Sequence, residues 1–197
     1  MNISSISTRR AFVISVLIIG AFAAVLFFMG QPLICKCGFV KFWHGPTALT
    51  SENSQHISDW YTFSHIINGF LFYWILWFVK RKFSFLQNVS LGGLFLIALS
   101  LEMAWELFEN TDFIINRYRS ITISYDYFGD SVINSASDVL AMVLGFVIAR
   151  RAPVWLTIML LVGMELFVGY WIRDNLLLNI VMLLYPFEFI LKWQRGG

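Results

Sequence analysis

Glu102, Glu106 and Glu109 stand four and three residues apart in the stretch LEMAWELFEN, the spacing that stacks side chains along one face of a helix. No Lys or Arg accompanies them, and the preceding VSLGGLFLIALS carries no charge. Carboxylates this close in a low dielectric cannot all ionise. Either some keep their protons, so that a general acid stands beside a general base suited to hydrolysis or group transfer, or they share a cation. A His among carboxylates is also a credible site for a divalent metal. The candidate catalytic residues are Glu102, Glu106, Asp138 and His65, and the candidate metal ligands are His65, Glu102 and Asp138.

The elements that must position these groups are membrane spans. Of the 197 residues, 58% are hydrophobic and 13% charged, and the mean hydropathy is +0.71. A soluble domain needs more charge than this to cover its surface. The expected fold class is an all-α integral membrane protein, a bundle of about six helices in one domain over 1–197. Five stretches reach the roughly 20 apolar residues that a crossing requires: about 11–29, 60–79, 90–109, 131–149 and 154–172. A sixth, about 176–192, is shorter and interrupted by Pro186, so it spans, kinks or re-enters. An amphipathic tail on the surface is the weaker reading, because its apolar residues run all round.

Lys and Arg set the orientation. Arg9, Arg10, Lys80, Arg81, Lys82, Arg150, Arg151, Lys192 and Arg195 fall on one side of six spans, against Lys36, Lys41, Arg117, Arg119 and Arg173 on the other. The positive-inside rule then puts both termini in the cytoplasm and the loops 30–59 and 110–130 outside. The first span reads as an uncleaved signal anchor, since its apolar run is long and no A-x-A-like site follows. A net charge of +2 directs the chain to no nucleic acid; membrane lipids are the expected partners.

At about 1.5 Å of rise per residue, Glu102, Asp138 and Glu165 each fall about 3 Å outside the middle of their spans. His65 and Glu106 lie nearer the outer face. On the fourth span Ser131, Asn134, Ser135, Asp138, Met142 and Gly145 share one side of the wheel, and on the second Tyr61, His65, Asn68 and Gly69 do the same. Such intramembrane acids cost roughly 2.5 to 3.5 kcal/mol each unless they meet one another, water or a cation. Glu165 alone reads as packing glue, whereas Glu109, Asp112 and Glu188 read as solvated ends. The loops add His44, His56 and Asp59, then Arg117 and Arg119, whose guanidinium groups suit phosphate but could equally pair with Asp126 or Asp130. Candidate substrate-binding residues are Arg117, Arg119, Asn134 and Asp130. Cys35 and Cys37, two residues apart, would close a strained ring, so a free pair is expected over a redox couple.

The segments CGFVKFWHG, SQHISDWYTFSHIINGFLFY and GDSVINSASDVLAMVLGF resemble a family of uncharacterised bacterial multi-pass inner-membrane proteins over nearly the whole chain. Asn68 stands where that pattern, SHxxHG, carries a second His, which counts against a His pair holding metal. The order SLEMAWE, NRYR, SDVLAMVLG is similar to VanZ-like membrane proteins. That resemblance implies equivalent roles for Glu102 and Glu106, for Arg117 or Arg119, and for Asp138 and Gly145, with Met142 where Asn is usual. The resulting expectation is a bacterial inner-membrane protein that binds or acts on a lipid or lipid-linked substrate at the outer leaflet. The alternatives are a small proton- or cation-coupled transporter and a structural module without chemistry.

Overall fold

The computed structural model describes residues 6–45 and 50–196, and every regular element among them is helical. Nine helices follow in order: α1 Thr8–Phe28, α2 Thr62–Lys82, α3 Ser84–Gln87, α4 Leu91–Glu109, α5 Asp112–Ile121, α6 Val132–Arg151, α7 Val154–Ile172, α8 Leu176–Leu184 and α9 Glu188–Gln194. Five of these, α1, α2, α4, α6 and α7, are long and apolar enough to cross a membrane. Their outward faces stay apolar, with Phe12, Leu17, Trp155, Leu166 and Tyr170 all exposed, as helices packed for lipid require.

Local chemistry sets the boundaries. Ser7, Ser90 and Ser131 cap α1, α4 and α6 by accepting from Arg10, Gly93 and Asn134 backbone N–H groups, which satisfies donors that no helical turn can reach. Lys80, Arg81 and Lys82 close α2, and Arg150 and Arg151 close α6, where cations complement the helix dipole. Arg173 adopts a left-handed φ of 54° and ends α7.

The tightest seam in the bundle joins α2 to α6. A Cβ on Gly145 would lie 2.0 Å from the Ile66 carbonyl oxygen, and one on Gly69 2.2 Å from that of Met142. Only glycine permits this backbone approach, the small-residue logic of membrane helix pairs. His65 sits one turn before Gly69 and Asp138 two turns before Gly145, so the crossing brings those two side chains to the same gap. Beneath them Phe70, Ala98, Leu99, Met142 and Phe146 form a buried apolar floor.

The last segment departs from a sixth crossing. Helix α8 breaks at Tyr185, Pro186 ends its ladder, and α9 turns back. The Gln194 amide donates to Asp174 Oδ1 at 3.1 Å, and Arg173 Nη1 to the Trp193 carbonyl at 3.1 Å, so both ends of this hairpin lie together. At nine residues, α8 spans only about 14 Å. Ile6, in contrast, packs at the opposite end of the bundle, where its carbonyl accepts from Ser90 Oγ. Five helices long and apolar enough to cross a membrane therefore lie between Ile6 and Gln194. The expectation that both termini share one side would need a further crossing from this hairpin.

Candidate functional site

Four buried side chains converge at the α2, α4 and α6 junction. His65 Nδ1 lies 2.6 Å from Glu102 Oε1 and 3.3 Å from Glu106 Oε1, while Nε2 lies 3.9 Å from Asp138 Oδ2. Glu102 is fully buried and Glu106 is 1% exposed. Asn68 donates to Glu102 Oε2 at 3.2 Å, and Thr62 Oγ1 to Asp138 Oδ1 at 3.2 Å. Glu106 is left over: neither carboxyl oxygen has a hydrogen-bond partner. The ring nitrogen Nδ1 already meets the nearer Glu102, and the 3.3 Å approach of Glu106 to the same nitrogen makes no hydrogen bond. A buried polar group without a partner costs free energy, and a buried carboxylate more.

The cluster has access from one end. A cavity of about 60 Å³ reaches His65, Asn68 and Asp138 from among Tyr61, Glu109, Tyr118, Tyr127 and Asp130, and α8 borders it through Leu176, Asn179 and Ile180. That volume holds a few waters. Glu109, expected as a solvated helix end, is partly buried here and lines the cavity with Tyr118. The cause is α5 and α8, which fold across the end of α4 and take it out of bulk solvent.

The walls are held by a dense polar mesh. Asn110 donates to Asp130 Oδ2 at 2.8 Å and accepts from the Asp130 backbone N–H at 2.7 Å, and the Tyr127 hydroxyl donates to Asp130 Oδ1 at 3.0 Å. Burial nevertheless lifts the Asp130 carboxyl to about 6, against these bonds. Asp59 is raised by burial as well, although the backbone N–H groups of Tyr61 and Ser54 donate to it. The Tyr61 hydroxyl donates to Asp174 Oδ2 at 2.9 Å and ties α2 to the start of the α8 hairpin.

Several expected site residues lie elsewhere. Asn134 spends its amide on the His56 carbonyl at 2.8 Å and anchors the first loop on α6. Arg117 Nε donates to the Leu183 carbonyl at 2.8 Å, at the C-terminal end of α8 where a cation is favoured. Arg119 is exposed and bonds the Tyr125 carbonyl at 3.3 Å. Neither Arg borders the cavity. Glu165 points away from the cluster: its two oxygens accept from Leu176 and Leu177 N–H at 3.1 Å each, capping α8. Among the expected metal ligands, Asp138 faces the opposite ring nitrogen from Glu102, so His65 and Glu102 gather around Nδ1 with Glu106 instead. Thr62, Tyr118, Tyr127 and Asp174 were not anticipated. Thr62 alone had a sequence signal, lying one turn before His65 on the polar stripe of α2.

A second group of potential ligands lies in the first loop, where Cys35, Cys37, Glu52 and His56 bring their donor atoms within 4.8 Å of one another. Here Lys41 already pairs with Glu52, His56 Nε2 is 3.1 Å from the same carboxylate, and Cys35 and Cys37 are joined in a disulfide. The free pair expected from the strained ring is therefore not what forms; the loop brings both sulfurs together.

Comparison with known proteins bears on kinship. The family described as "Protein of unknown function (DUF2585)" matches residues 26–196. The chain belongs to this family. A UPF0314 protein of Paracoccus denitrificans is 51% identical over 180 residues, 91% of this chain and 90% of that one. A UPF0314 protein of Sphingopyxis alaskensis is 47% identical over 191 residues, 96% of this chain and 97% of the relative. A third, from Rhizobium johnstonii, is 52% identical over 173 residues, 88% of this chain and 85% of its own length. No solved structure matches the chain.

Proposed function

We propose that this protein lies in the bacterial inner membrane and binds or acts on a lipid or lipid-linked substrate through the His65, Glu102, Glu106 and Asp138 cluster. The observation that carries the reading is Glu106, a buried carboxyl with two unpartnered oxygens beside a His already engaged by Glu102. A merely structural cluster would satisfy its members. An acid and a base held this close can pass a proton to and from a reacting ester or phosphate.

Two further features support an amphipathic substrate. The cavity that reaches the cluster mixes polar groups with Trp105, Leu176 and Ile180, and the helices α5 and α8 present Phe113, Leu177 and Leu184 to the surroundings. A molecule with a polar head and an apolar tail matches that combination. The apolar floor beneath Glu102 also closes the path toward the other end of the bundle, which favours a site reached from one side over a carrier open alternately to both.

Orientation follows from charge density rather than count. With five crossings, seven of the fourteen Lys and Arg fall at each end. Those at the Ile6 end crowd into short segments at residues 9–10, 80–82 and 150–151, the positions that weigh most in the positive-inside rule. The cavity would then open on the side away from the cytoplasm.

The test is chromosomal replacement of Glu102 or Asp138 by Ala, with membrane lipid profiles compared against a deletion. At normal protein level both variants should reproduce the deletion profile. Full complementation by both would end the proposal.

A further inference from the structure

We propose that His65, Glu102 and Glu106 bind one first-row divalent cation, with Asp138 orienting the imidazole rather than ligating. The inference rests on the reading that this cluster is a working site, and on nothing about the identity of its substrate.

The three donors lie on three turns of two helices and aim at one point. Their ligand atoms fall within 4.8 Å of one another, and all three residues are buried. An ion at about 2.1 Å from each ligand needs neighbouring ligand atoms about 3.0 to 3.4 Å apart in octahedral or tetrahedral geometry. The 3.3 Å separation of His65 Nδ1 and Glu106 Oε1 already meets that edge. The 2.6 Å contact of Nδ1 with Glu102 must open by about half an ångström, within reach of a glutamate side chain. Asn68 holds the second Glu102 oxygen and leaves Oε1 turned to the ring.

Charge decides in favour of an ion. Two carboxylates, a neutral imidazole and a divalent cation sum to zero, so the ion removes the cost of burying like charges side by side. No Lys or Arg ion pair reaches the cluster among the described residues. Glu106 would then acquire the partner it lacks. Asp138, 3.9 Å from Nε2, lies on the far side of the imidazole, the place from which a carboxylate commonly orients a ligating His. One nitrogen and two carboxylates suit Mn²⁺, Fe²⁺ or Zn²⁺ better than a thiol-seeking ion. Three protein ligands leave coordination positions open for water or substrate, and the cavity supplies water as far as His65 and Asn68.

The experiment uses full-length protein in detergent, stripped by a chelator and titrated separately with Zn²⁺ and Mn²⁺, with bound metal measured by mass spectrometry. The wild type should retain about one equivalent of at least one ion, and Glu106→Gln and Glu102→Gln should each weaken it tenfold or more. Asp138→Asn should weaken it less than either. Glu52→Gln, which alters the loop cluster at Cys35, Cys37 and His56, should leave that equivalent in place. Retention of a monodisperse elution profile separates loss of the ion from loss of the fold, and the two Gln variants check each other. No retained ion in the wild type, wild-type affinity in a folded Glu106→Gln protein, or binding that follows Glu52 would each overturn the proposal. Metal binding with unchanged lipids would sink the lipid reading alone, and essential carboxylates without a bound ion would sink the cation alone.

Discussion

Among the described residues the protein contains two clusters of His and carboxylate, and one of them includes a lysine. In the first loop Glu52 meets His56, with His44 3.9 Å away, and Lys41 completes the set. Between α2, α4 and α6, His65 meets Glu102, Glu106 and Asp138 with no Lys or Arg ion pair among the described residues. The loop cluster carries its own counter-charge and partly faces solvent, and its Glu52 meets both Lys41 and His56 through Oε2. The bundle cluster is buried and acidic, and both Glu106 oxygens lack a hydrogen-bond partner. A resident cation marks an arrangement that holds a loop closed, whereas its absence leaves an unmet demand that a proton, metal or substrate must fill.

The severest way to break this contrast is to pull the bundle cluster apart from below. Gly145→Leu pushes a side chain into the Ile66 carbonyl, where even a Cβ would stand 2.0 Å away. The α2 and α6 backbones must separate, at a cost of about 3 kcal/mol or more. Folded yield in detergent should collapse. Gly163→Ala on α7, where nothing lies within 4 Å of the new carbon, should melt at or above the wild-type temperature.

His65→Ala comes next. It removes the group that stands between Glu102, Glu106 and Asp138 and leaves buried carboxylates facing one another, a loss of about 3 kcal/mol on the scale of broken buried pairs. Thermal unfolding monitored by tryptophan fluorescence should show a markedly lower midpoint. His56→Ala should lower it less, because Lys41 still neutralises Glu52.

How far the bundle cluster could be read from sequence depends on which coordinate is asked for. Helical periodicity placed His65 with Asn68 and Gly69, and Asp138 with Asn134 and Gly145, and the α2–α6 crossing brings those two stripes together. Direction around a helix was less legible. Glu165 was expected at the depth of Glu102 but faces α8, a direction the sequence could not give because α7 carries apolar residues on every side and offers no wheel to orient it. Glu109 and the two Arg residues were misplaced for another reason. Their surroundings are made by α5, α8 and α9, short helices that cover the end of the bundle through tertiary contacts and leave no span-length signal in the sequence. Pro186 announced a break in the last segment, but not that the chain would return to Asp174.

That return supplies a pH test, at a site separate from both clusters. Burial lifts the Asp174 carboxyl to about 6, although the Tyr61 hydroxyl and the side chains of Asn179 and Gln194 donate to it. Its proton is held more tightly in the folded chain than in the unfolded one. The stabilisation is therefore complete below about pH 4 and is lost as pH rises through about 6. Opening of the α8–α9 hairpin should be easier at pH 7.5 than at pH 5 by about 1 to 1.5 kcal/mol. Hydrogen exchange of α8 amides, corrected for intrinsic rates, measures this. Equal protection at both values would remove Asp174 as the latch.

The smallest effect belongs to the loop cluster, and it is the one that gives the comparison its edge. Hydrogen bonds from Lys41 and then His56 hold the Glu52 carboxyl down at about 2. A depressed carboxyl supports the fold above its unfolded value and loses that support as pH falls from about 4.5 towards 2. Lys41→Met should raise the Glu52 value towards normal and shrink this acid limb, while the melting temperature at pH 7 stays within scatter of the wild type, as expected for a pair near solvent. Carbon-13 titration of labelled Glu52 reads the first change and calorimetry the second. If Lys41→Met instead costs as much as His65→Ala at neutral pH, the lysine is holding a buried charge and not trimming a wet one. The two clusters would then be variants of one design, and the missing cation beside Glu106 would lose its meaning.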